Sequence, residues 1–503
     1  MNPTAFPILS LLIALPMGAA AVCLALRRHP AISRWLSLLV TLAVLALALW
    51  LFVAAQGGDG GWLLYEDYPW IPYFGIRYIL GLDGISLLLV LLTAITQALA
   101  VIVSWRRKYQ VAIFYSMLLF MEAGILGVFL ALDLFLFYLF WEVMLLPMFF
   151  LIGVWGHERR VYAAIKFFIF TMAGSLLMLL AVIAMYILHG RQTGDFTFAL
   201  AALQHTAIPA GLEPWLFGAF VLAFAVKAPL LPLHTWLPDA HTEAPTAGSL
   251  DLAGLLLKTG LYGLLRIAFP LFPEMTQAVL PLLAALAIAG IFYAAWIAYA
   301  QTDSKRLVAY SSVAHVGFMM LGLCAWDAMA VEGSVLQMFN HGITTGALFI
   351  MIGMIQHRAE TREIGKLGGL WARVPVLSAF FLFFAMASLG LPGLNNFVGE
   401  ILILLGTFRV NPLWGALGMA GVLFAAAYML RLVQGVLWGT PGPVHDATCW
   451  PDLGAREVLV LAPLAILVLF LGLYPEPFLE PIREPVRRLL AGTSLLALKG
   501  GLP

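Results

Sequence analysis

The sequence predicts an all-α, polytopic membrane protein with about fourteen transmembrane helices. Hydrophobic residues make up 63% and charged residues only 11% of the 503 positions. The mean hydropathy of +0.98 exceeds what a soluble protein of this length tolerates. The apolar residues fall into runs of about 20, the length of helix that crosses a bilayer. Because lipid cannot satisfy backbone polar groups, runs this long are helices rather than barrel strands.

The predicted spans follow one another along the whole chain and leave no room for a soluble domain. The chain begins Met1-Asn2-Pro3-Thr4, without the basic residues of a cleavable signal peptide, so the first run is predicted to be a span. The longest gaps, 55–83 and 189–214, are predicted to be loops. The spans are predicted at residues 5–26, 33–54, 84–104, 111–131, 133–153, 162–188, 215–238, 247–269, 278–300, 306–325, 332–356, 374–408, 412–437 and 456–474.

The distribution of Lys and Arg between the loops predicts the orientation, because cytoplasmic loops carry more of them. The loops after odd-numbered spans hold fourteen such residues, and the opposite set holds three, namely Arg77, Arg191 and Arg409. Both termini are therefore predicted to lie outside the cytoplasm. The basic C-terminal segment, which includes Leu489–Leu498, is expected to lie along the membrane surface or against a neighbouring subunit.

Six ionisable side chains fall near the middle of otherwise apolar spans, at the depth of the bilayer midplane. A charge there costs roughly 2.5–3.5 kcal/mol even on a lenient insertion scale, so such a side chain normally faces the protein interior and has a function. Acids, lysines and histidines at one depth predict a proton or ion relay. The six candidate site residues are Glu142, Lys227, Lys258, His315, His341 and Glu400.

The spacing of these residues predicts an internal repeat. Three pairs of ionisable residues share an offset of 173 positions, which maps spans 4–8 onto spans 9–13. Because five is an odd number, the second unit is predicted to cross the membrane in the inverted orientation, as in many transporters. The pairs are Glu142 with His315, Lys227 with Glu400, and Lys258 with Arg431.

A single membrane domain, 1–503, is therefore predicted to contain four parts. Prolines and glycines also predict that spans 7 and 12 are broken, at Lys227–Pro232 and Gly390–Asn396, because proline opens the helical hydrogen-bond ladder. The four parts are an N-terminal group of spans at 1–104, a first repeat at 111–269, a second repeat at 278–437, and the last span with the C-terminal segment at 438–503.

Several of these segments carry a family resemblance. The stretches Val226–Ser249, Asp251–Arg266 and Gly390–Glu400, together with Trp141-Glu142, resemble the antiporter-like membrane subunits of respiratory complex I. In the paralogous L and N subunits, and in multi-subunit sodium/proton antiporters, the position of Glu400 is typically lysine. The glutamate, with Ser249-Leu250-Asp251, is similar to the M branch of the family.

The resemblance implies a proton-translocating role within a redox-driven NADH:quinone oxidoreductase. It implies an ion pair between Glu142 and Lys227, in which moving the carboxylate changes the proton affinity of the lysine. Lys258 would then pass a proton towards His315 and His341, whose imidazoles accept and donate near neutral pH. Glu400 would be the exit group towards the periplasm.

The resemblance also implies the setting of the chain. NADH, FMN, iron–sulfur clusters and quinone are expected in other subunits, and no cofactor or metal in this chain. The expected partners are the neighbouring L and N subunits, other membrane-arm subunits and lipids, and the location a bacterial inner membrane. The net charge of +1 argues against nucleic acid, and Cys23, Cys324 and Cys449 form no CxxC pair that would bind a cluster.

Alternatives remain at three places. A multi-subunit sodium/proton antiporter is the second function class, whereas a haem protein would need paired histidines on one helix, which no span carries. Glu122 is either a second partner of the relay or a contact with a neighbouring subunit, and Asp133 is read as a helix cap. Near the end of span 7, His234, Asp239, His241 and Glu243 are read as a loop-fixing or proton-uptake cluster, with metal ligation as the other reading.

Overall fold

The computed structural model describes residues 6–58, 60–439 and 450–500, with side chains up to residue 492. Cys449 and the ends of the chain lie outside these residues. The first nine helices are α1 (Ile8–Ala25), α2 (Pro30–Ala54), α3 (Gly84–Val103), α4 (Val111–Leu130), α5 (Leu134–Trp155), α6 (Arg160–Thr193), α7 (Glu213–Lys227), α8 (Trp236–Glu243) and α9 (Thr246–Leu271). The others are α10 (Pro273–Ala300), α11 (Ser304–Ala325), α12 (Ala328–Ala359), α13 (Pro375–Ser388), α14 (Asn395–Val410), α15 (Pro412–Leu437), α16 (Ala455–Leu473) and α17 (Glu476–Gly500).

The helical, polytopic fold is confirmed, but the count of fourteen spans is not. Within the described ranges, twelve helices are long and apolar enough to cross a membrane. The number is thirteen if α13 forms one span with the short helices in Ile364–Arg373, from which it is bent by 118°. The two predicted spans missing from the twelve are 215–238 and 374–408. Each is divided into two helices, α7 with α8 and α13 with α14.

Both divisions fall where proline and glycine predict them. α7 ends at Lys227, and the non-helical residues before α8 include Pro229 and Pro232, the latter preceded by a cis peptide bond. The indole Nε1 of Trp236 donates to the carbonyl oxygen of Val226 over 2.9 Å and so ties the two sides of this break together. The second break lies between Ser388 and Asn395.

The helices form an inner group and an outer group. The inner helices bury between 83% and 94% of their apolar 18-residue stretch, and they are α3, α4, α9, α11 and α12. The outer helices bury only 28–39% of the same stretch, and they are α1, α2, α6, α15 and α16. The outer helices therefore present most of their apolar surface outwards, as expected of helices that face lipid or other subunits. α12 lies at the centre of the inner group and contacts α3, α9, α11 and α14.

The two ends of the helix bundle differ. One end holds an antiparallel hairpin of β1 (Leu64–Ile71) and β2 (Ile76–Leu82), and we call it the hairpin end. The prediction that 55–83 is a loop was therefore wrong. Paired Tyr, Ile and Leu residues form the strands although Pro69 and Pro72 interrupt the pattern. The opposite end, which carries Arg159, Lys305 and Arg362, is called the basic end.

The C-terminal helix α17 packs against its own chain. Phe478, Ile482 and Val486 are buried, and the ring of Phe478 lies 5.3 Å from that of Phe339 on α12. This differs from the expectation of a segment on the membrane surface or on a neighbour, because prolines and apolar side chains of α17 fit against α3 and α12. The side chains of 493–500 lie outside the described part.

Candidate functional site

Lys258 lies between two π-helical segments of α9, Leu252–Leu256 and Leu264–Ala268. Such single-turn widenings of an α-helix are frequent at functional sites. The Lys258 Nζ donates to the carbonyl oxygen of Ala253, five residues earlier on the same helix. The side chain is completely buried. The widened helix thus gives the lysine a backbone acceptor in an apolar interior.

The second neighbour of Lys258 is His341 on α12. The Lys258 Nζ lies 2.8 Å from the His341 Nδ1, within hydrogen-bond distance. The two helices can approach because Gly342 faces Gly254, and a Cβ atom on Gly342 would lie 3.1 Å from the Gly254 carbonyl oxygen and still closer to Leu92. A lysine and a histidine that are 83 positions apart are therefore placed in direct contact.

His315 on α11 continues this row. The ring centroids of His315 and His341 are 5.4 Å apart, and the rings are inclined by 61°. The His315 Nδ1 lies 3.3 Å from the Glu400 Oε1, and its Nε2 lies 3.5 Å from the Tyr428 hydroxyl. Lys258, His341, His315 and Glu400 therefore form a buried row of neighbouring side chains, which we call the relay, although the two imidazoles share no hydrogen bond.

Glu400, at the end of the relay, contacts Gln337 of α12 and lies beside Gly390 in the helix break. The Gln337 Nε2 donates to the Glu400 Oε1 over 3.2 Å. Gly390 lies in the break with φ +81°, a left-handed conformation that glycine adopts without strain. A Cβ atom at this position would lie 2.6 Å from the Glu400 Oε2. The glycine thus leaves room for the carboxylate as well as for the turn.

Reciprocal amide bonds fix the start of α14 against α12. The Asn340 Nδ2 donates to the Asn395 carbonyl oxygen over 2.8 Å, and the Asn395 Nδ2 donates to the Asn340 carbonyl oxygen over 3.2 Å. The Thr344 hydroxyl donates to the Asn395 Oδ1 over 3.0 Å. These bonds satisfy polar groups that the break would otherwise leave unpaired in the interior.

The expected ion pair between Glu142 and Lys227 is not a direct contact in the structure. The Lys227 Nζ has no hydrogen-bond partner among the described residues and lies 5.2 Å from the ring centroid of Trp141 and 5.7 Å from that of Phe167. One carboxylate oxygen of Glu142, Oε1, is likewise buried with no hydrogen-bond partner among these residues. Adjacent residues of a helix point about 100° apart, so Trp141 and Glu142 cannot both face the lysine.

Lys227 and the relay are neighbours without touching. Lys227 ends α7, and the α9 segment that carries Lys258 packs directly against α7. A Cβ atom on Gly260 would lie 2.6 Å from both the Ala228 amide nitrogen and the Phe224 carbonyl oxygen. The structure therefore brings four of the six candidate residues into one row and leaves Glu142 and Lys227 as a separate group beside it.

At the basic end, loop-fixing bonds converge on the corner between α8 and α9. The Lys305 Nζ donates to the Ala244 carbonyl oxygen over 2.5 Å, and the Arg159 amide donates to the Glu243 Oε2 over 2.8 Å. Lys166 forms an ion pair of 2.7 Å with Asp239. Within the described ranges, no group of three His, Cys, Asp or Glu residues could hold a metal ion. The carboxylates of the predicted cluster therefore fix the loop.

The histidines of this end are in different surroundings. His241 is fully buried and stacks on Phe349 with centroids 4.6 Å apart, and neither of its ring nitrogens has a hydrogen-bond partner in the described part of the chain. His157 lies in the loop before α6, where burial and the neighbouring Lys305 and Arg362 lower its pKa to about 4. His157 is therefore neutral at physiological pH and adds no charge to the corner.

The structure shows the surroundings of Asp133, which was predicted to be a helix cap, and of Glu122, for which two roles were left open. The Asp133 side chain accepts from the amides of Phe135 and Leu136, over 2.9 and 3.0 Å, as a helix cap. Burial raises the pKa of Asp133 to about 6, although these backbone bonds act in the opposite direction. Glu122 is completely buried inside the chain, so the reading as a contact with a neighbouring subunit was wrong.

Sequence reasoning missed the polar residues that support the relay. The face of α12 that carries His341 also carries Gln337, Asn340 and Thr344, at spacings of three and four residues. That helical period was visible in the sequence and indicates one polar face. Tyr428 was not singled out, and Asp251 was noted only within Ser249-Leu250-Asp251 and Asp251–Arg266, without a role in the site.

This arrangement can move a proton. A protonated Lys258 donates to the His341 Nδ1, and the imidazole can release a proton from its other nitrogen, which is buried and free of partners among the described residues. His315 can repeat the step and pass the proton to Glu400, which is within 3.3 Å. Each group in the row can thus both accept and release a proton.

Comparison with known proteins places this site in a family. The family model described as "NADH:quinone oxidoreductase/Mrp antiporter, TM" matches residues 131–425, which include all six candidate residues. The chain is 45% identical over 488 residues to NADH-quinone oxidoreductase subunit M of Pseudomonas aeruginosa, a match covering 94% of this chain and 95% of that protein. It is 44% identical over 463 residues to subunit M of Escherichia coli, covering 89% and 91% respectively.

Solved structures agree with this assignment. A chain of respiratory complex I from Thermus thermophilus with bound NADH superposes with a TM-score of 0.85 at 34% identity, over 96% of this chain and 99% of that chain. A chain of the Mrp complex from a Dietzia species superposes with a TM-score of 0.84 at 23% identity, over 97% and 98%, which shows a common fold alone. The names of the relatives confirm the M branch that Glu400 indicated. The chain therefore belongs to the NADH:quinone oxidoreductase/Mrp antiporter transmembrane family, as a subunit of the M type.

Proposed function

We propose that this chain translocates protons as an antiporter-like subunit of a redox-driven NADH:quinone oxidoreductase. Protons move along the relay of Lys258, His341, His315 and Glu400, with Glu400 as the exit group. The observation that carries this proposal is the closeness of the four buried groups. The Lys258 Nζ to His341 Nδ1 distance is 2.8 Å, the ring centroids of the two histidines are 5.4 Å apart, and the His315 Nδ1 to Glu400 Oε1 distance is 3.3 Å. A structural ion pair needs two such groups, and a row of four buried groups suits transfer.

Glu142 and Lys227 act as the control group of this relay. Lys227 is buried over the face of Trp141, and its Nζ has no hydrogen-bond partner in the part of the chain that the structure describes, so its protonated form is poorly compensated. A small movement of α5 that brings Glu142 closer favours the protonated lysine, and its withdrawal favours release. The lack of direct contact in the structure fits the separated state of such a switch.

The chain itself carries out no redox chemistry. NADH, FMN, iron–sulfur clusters and quinone belong to other subunits, and the free energy of quinone reduction reaches this chain through its neighbours. Its partners are the L and N subunits and other membrane-arm subunits, which cover part of the outer helices, and lipids cover the rest. The enzyme activity is thus that of a translocase to which this chain contributes the proton path.

The setting is a bacterial inner membrane, crossed several times, with both termini on the periplasmic side. The excess of Lys and Arg at the basic end supports this orientation, because positive loops stay in the cytoplasm. Residues 1–104, 111–269, 278–437 and 438–503 remain the proposed division, with the two inverted repeats meeting where Lys258 and His341 touch.

A multi-subunit sodium/proton antiporter is the second candidate, because the Mrp chain shares the fold. Glu400 and the names of the relatives favour the first function. The two candidates differ in their driving force, since only the redox-driven complex pumps protons when NADH is supplied.

The experiment that tests the proposal replaces the two relay histidines. His315→Gln and His341→Gln keep a polar side chain of similar length but cannot titrate, so NADH-driven proton uptake into inverted membrane vesicles should fall severalfold in both. His189→Gln is the matched control, because His189 is a buried histidine at the hairpin end that bonds the Thr206 hydroxyl over 2.9 Å. Normal pumping by both relay variants, in assembled complex, would overturn the proposed path.

A further inference from the structure

Three buried polar side chains lie beside the relay without belonging to it. They are Gln97 on α3, Glu122 on α4 and Asp251 on α9, and all three are completely buried. The Gln97 Nε2 donates to the Asp251 Oδ1 over 3.3 Å. Glu122 lies on α4, which packs against the segment of α9 that carries Lys258. We refer to Glu122 and Asp251 as the carboxyl pair.

The carboxyl pair has almost no compensation for negative charge. Both oxygens of Glu122 and the Asp251 Oδ2 lack hydrogen-bond partners among the described residues. An isolated carboxylate in such surroundings costs several kcal/mol, and two within range of each other repel. Protonated carboxyls avoid both costs. The pair is therefore a place where the chain holds protons.

The hydrogen bonding of Gln97 independently indicates that the carboxyl pair carries a proton. Its amide group contacts Asp251, yet its Oε1 is buried with no donor within the described part of the chain. A buried amide oxygen without a donor is costly. A protonated carboxyl of the pair, or a water bound to it, is a donor of the kind this oxygen requires.

Protonated Lys258 needs a nearby negative charge, which the carboxyl pair can supply. Its Nζ contacts the Ala253 carbonyl oxygen and the His341 imidazole, neither of which is an anion. A protonated Lys258 is thus a buried cation without an anionic contact, and such a charge is tolerated only when it is balanced nearby. Asp251 is seven residues earlier on α9, roughly 10 Å along the helix axis. The π-helical segment Leu252–Leu256 joins the two.

We propose that the carboxyl pair is the proton donor and counter-charge of Lys258. In the transfer, the O–H bond of the Asp251 carboxyl breaks, water molecules carry the proton across the roughly 10 Å between the two groups, and an N–H bond forms on the neutral Lys258 amine. The products, a carboxylate and an ammonium, attract each other. Water likewise carries the proton of Glu122 to the Asp251 carboxylate, and the pair is refilled from the basic end. This role rests on the proposed relay and identifies the source of the proton that enters it.

The role has a structural consequence for the direction of transfer. Asp251 lies in the second turn of α9, near the basic end, and Lys258 lies further towards the hairpin end. From Lys258, the row continues through His341 and His315 to Glu400. The carboxyl pair and Glu400 are therefore the two acidic ends of one path, with the lysine and the histidines between them.

The test uses Glu122→Gln and Asp251→Asn in the assembled complex, in inverted membrane vesicles. NADH-driven proton uptake is expected to fall severalfold in both, and Asp251→Glu is expected to restore most of it. Infrared difference spectra during turnover give a second readout. The carbonyl band of a protonated carboxyl should be present in the parent complex, shift in D₂O and in Asp251→Glu, and be lost in Asp251→Asn. Ser378→Ala, a buried polar residue on α13, is the control.

The outcomes separate this inference from the proposed function. If His315→Gln and His341→Gln lose pumping while Glu122→Gln and Asp251→Asn keep both pumping and the carboxyl band, the relay stands and the carboxyl pair has no part in it. If all four variants pump normally, the relay itself is wrong. Should Asp251→Asn fail to assemble, an unshifted carboxyl band in Asp251→Glu together with normal pumping by Glu122→Gln overturns the inference.

Discussion

The Nζ atom of Lys258 lies 2.8 Å from the Nδ1 atom of His341, which joins α9 to α12 at the centre of the helix bundle. α9 belongs to the first predicted repeat and α12 to the second, so the contact links the two halves of the chain. Neither residue is exposed. A proton on the lysine has the imidazole as its direct acceptor, and the proposed relay begins with this pair.

Replacing Lys258 by arginine tests whether this lysine carries a proton. Arginine keeps the positive charge but has a pKa above about 12, so it cannot release its proton at a workable pH. Its larger planar head group must also fit a site that has no exposed surface. Proton uptake by Lys258→Arg vesicles is expected to be nearly as low as that of Lys258→Ala. Normal pumping by the arginine variant would make Lys258 a fixed electrostatic element.

Removing either member of the control group should stop the pump without stopping assembly. Glu142→Ala and Lys227→Ala are expected to lower proton uptake and coupled quinone reduction by at least about tenfold, which corresponds to a barrier that is higher by roughly 1.4 kcal/mol or more. Glu142→Asp keeps the charge with a shorter reach and should retain part of the activity. Assembly is checked by native gel electrophoresis. Near-normal pumping by both assembled alanine variants would refute the switch.

Gly390→Ala tests whether the glycine in the break leaves room for Glu400. The new methyl group would lie 2.6 Å from the Glu400 Oε2, at a φ of +81° that costs an alanine roughly 1–2 kcal/mol. Lower thermal stability and impaired pumping are expected. Gly194→Ala is a matched control with φ +80° and nothing within 4 Å of the added carbon. It shares the backbone strain, so pumping should fall only in Gly390→Ala.

The residues at the bilayer midplane could be predicted from the sequence because charge in an apolar run is costly and therefore rare. That reasoning identified Lys258, His341, His315 and Glu400, and proline and glycine located both helix breaks. The sequence could not show which side chains these residues contact. Whether Lys227 faces Glu142 or the ring of Trp141 depends on the rotation of α5, which the sequence does not specify.

Other features could not be predicted from the sequence because they depend on contacts between distant parts of the chain. The π-helical segment Leu252–Leu256, which includes Ala253, packs against α3 and α12 and has no sequence pattern of its own. Asp251 lies on a helix that also carries Ser249 and Lys258, and nothing in its spacing indicates the bond with Gln97. The hairpin at 64–82 was missed because its prolines suggested a loop. Tertiary contacts decide each of these cases.

The substitution of Glu400 is the most direct test of proton transfer through the relay. Glu400 accepts a bond from Gln337 over 3.2 Å and faces His315 over 3.3 Å, so it is both a structural acceptor and the proposed exit group. Glu400→Gln keeps the shape and much of the hydrogen bonding but cannot titrate. Glu400→Lys imitates the paralogous subunits, keeps a titratable group at that depth, and should retain more activity than Glu400→Ala.

The deciding measurement is NADH-driven proton uptake into inverted membrane vesicles that contain assembled Glu400→Gln complex. A relay that passes its proton to this carboxylate predicts uptake close to that of Glu400→Ala and well below that of the parent protein. Uptake equal to that of the parent protein would remove Glu400 from the path. The side chain would then be a structural acceptor for Gln337 at the helix break.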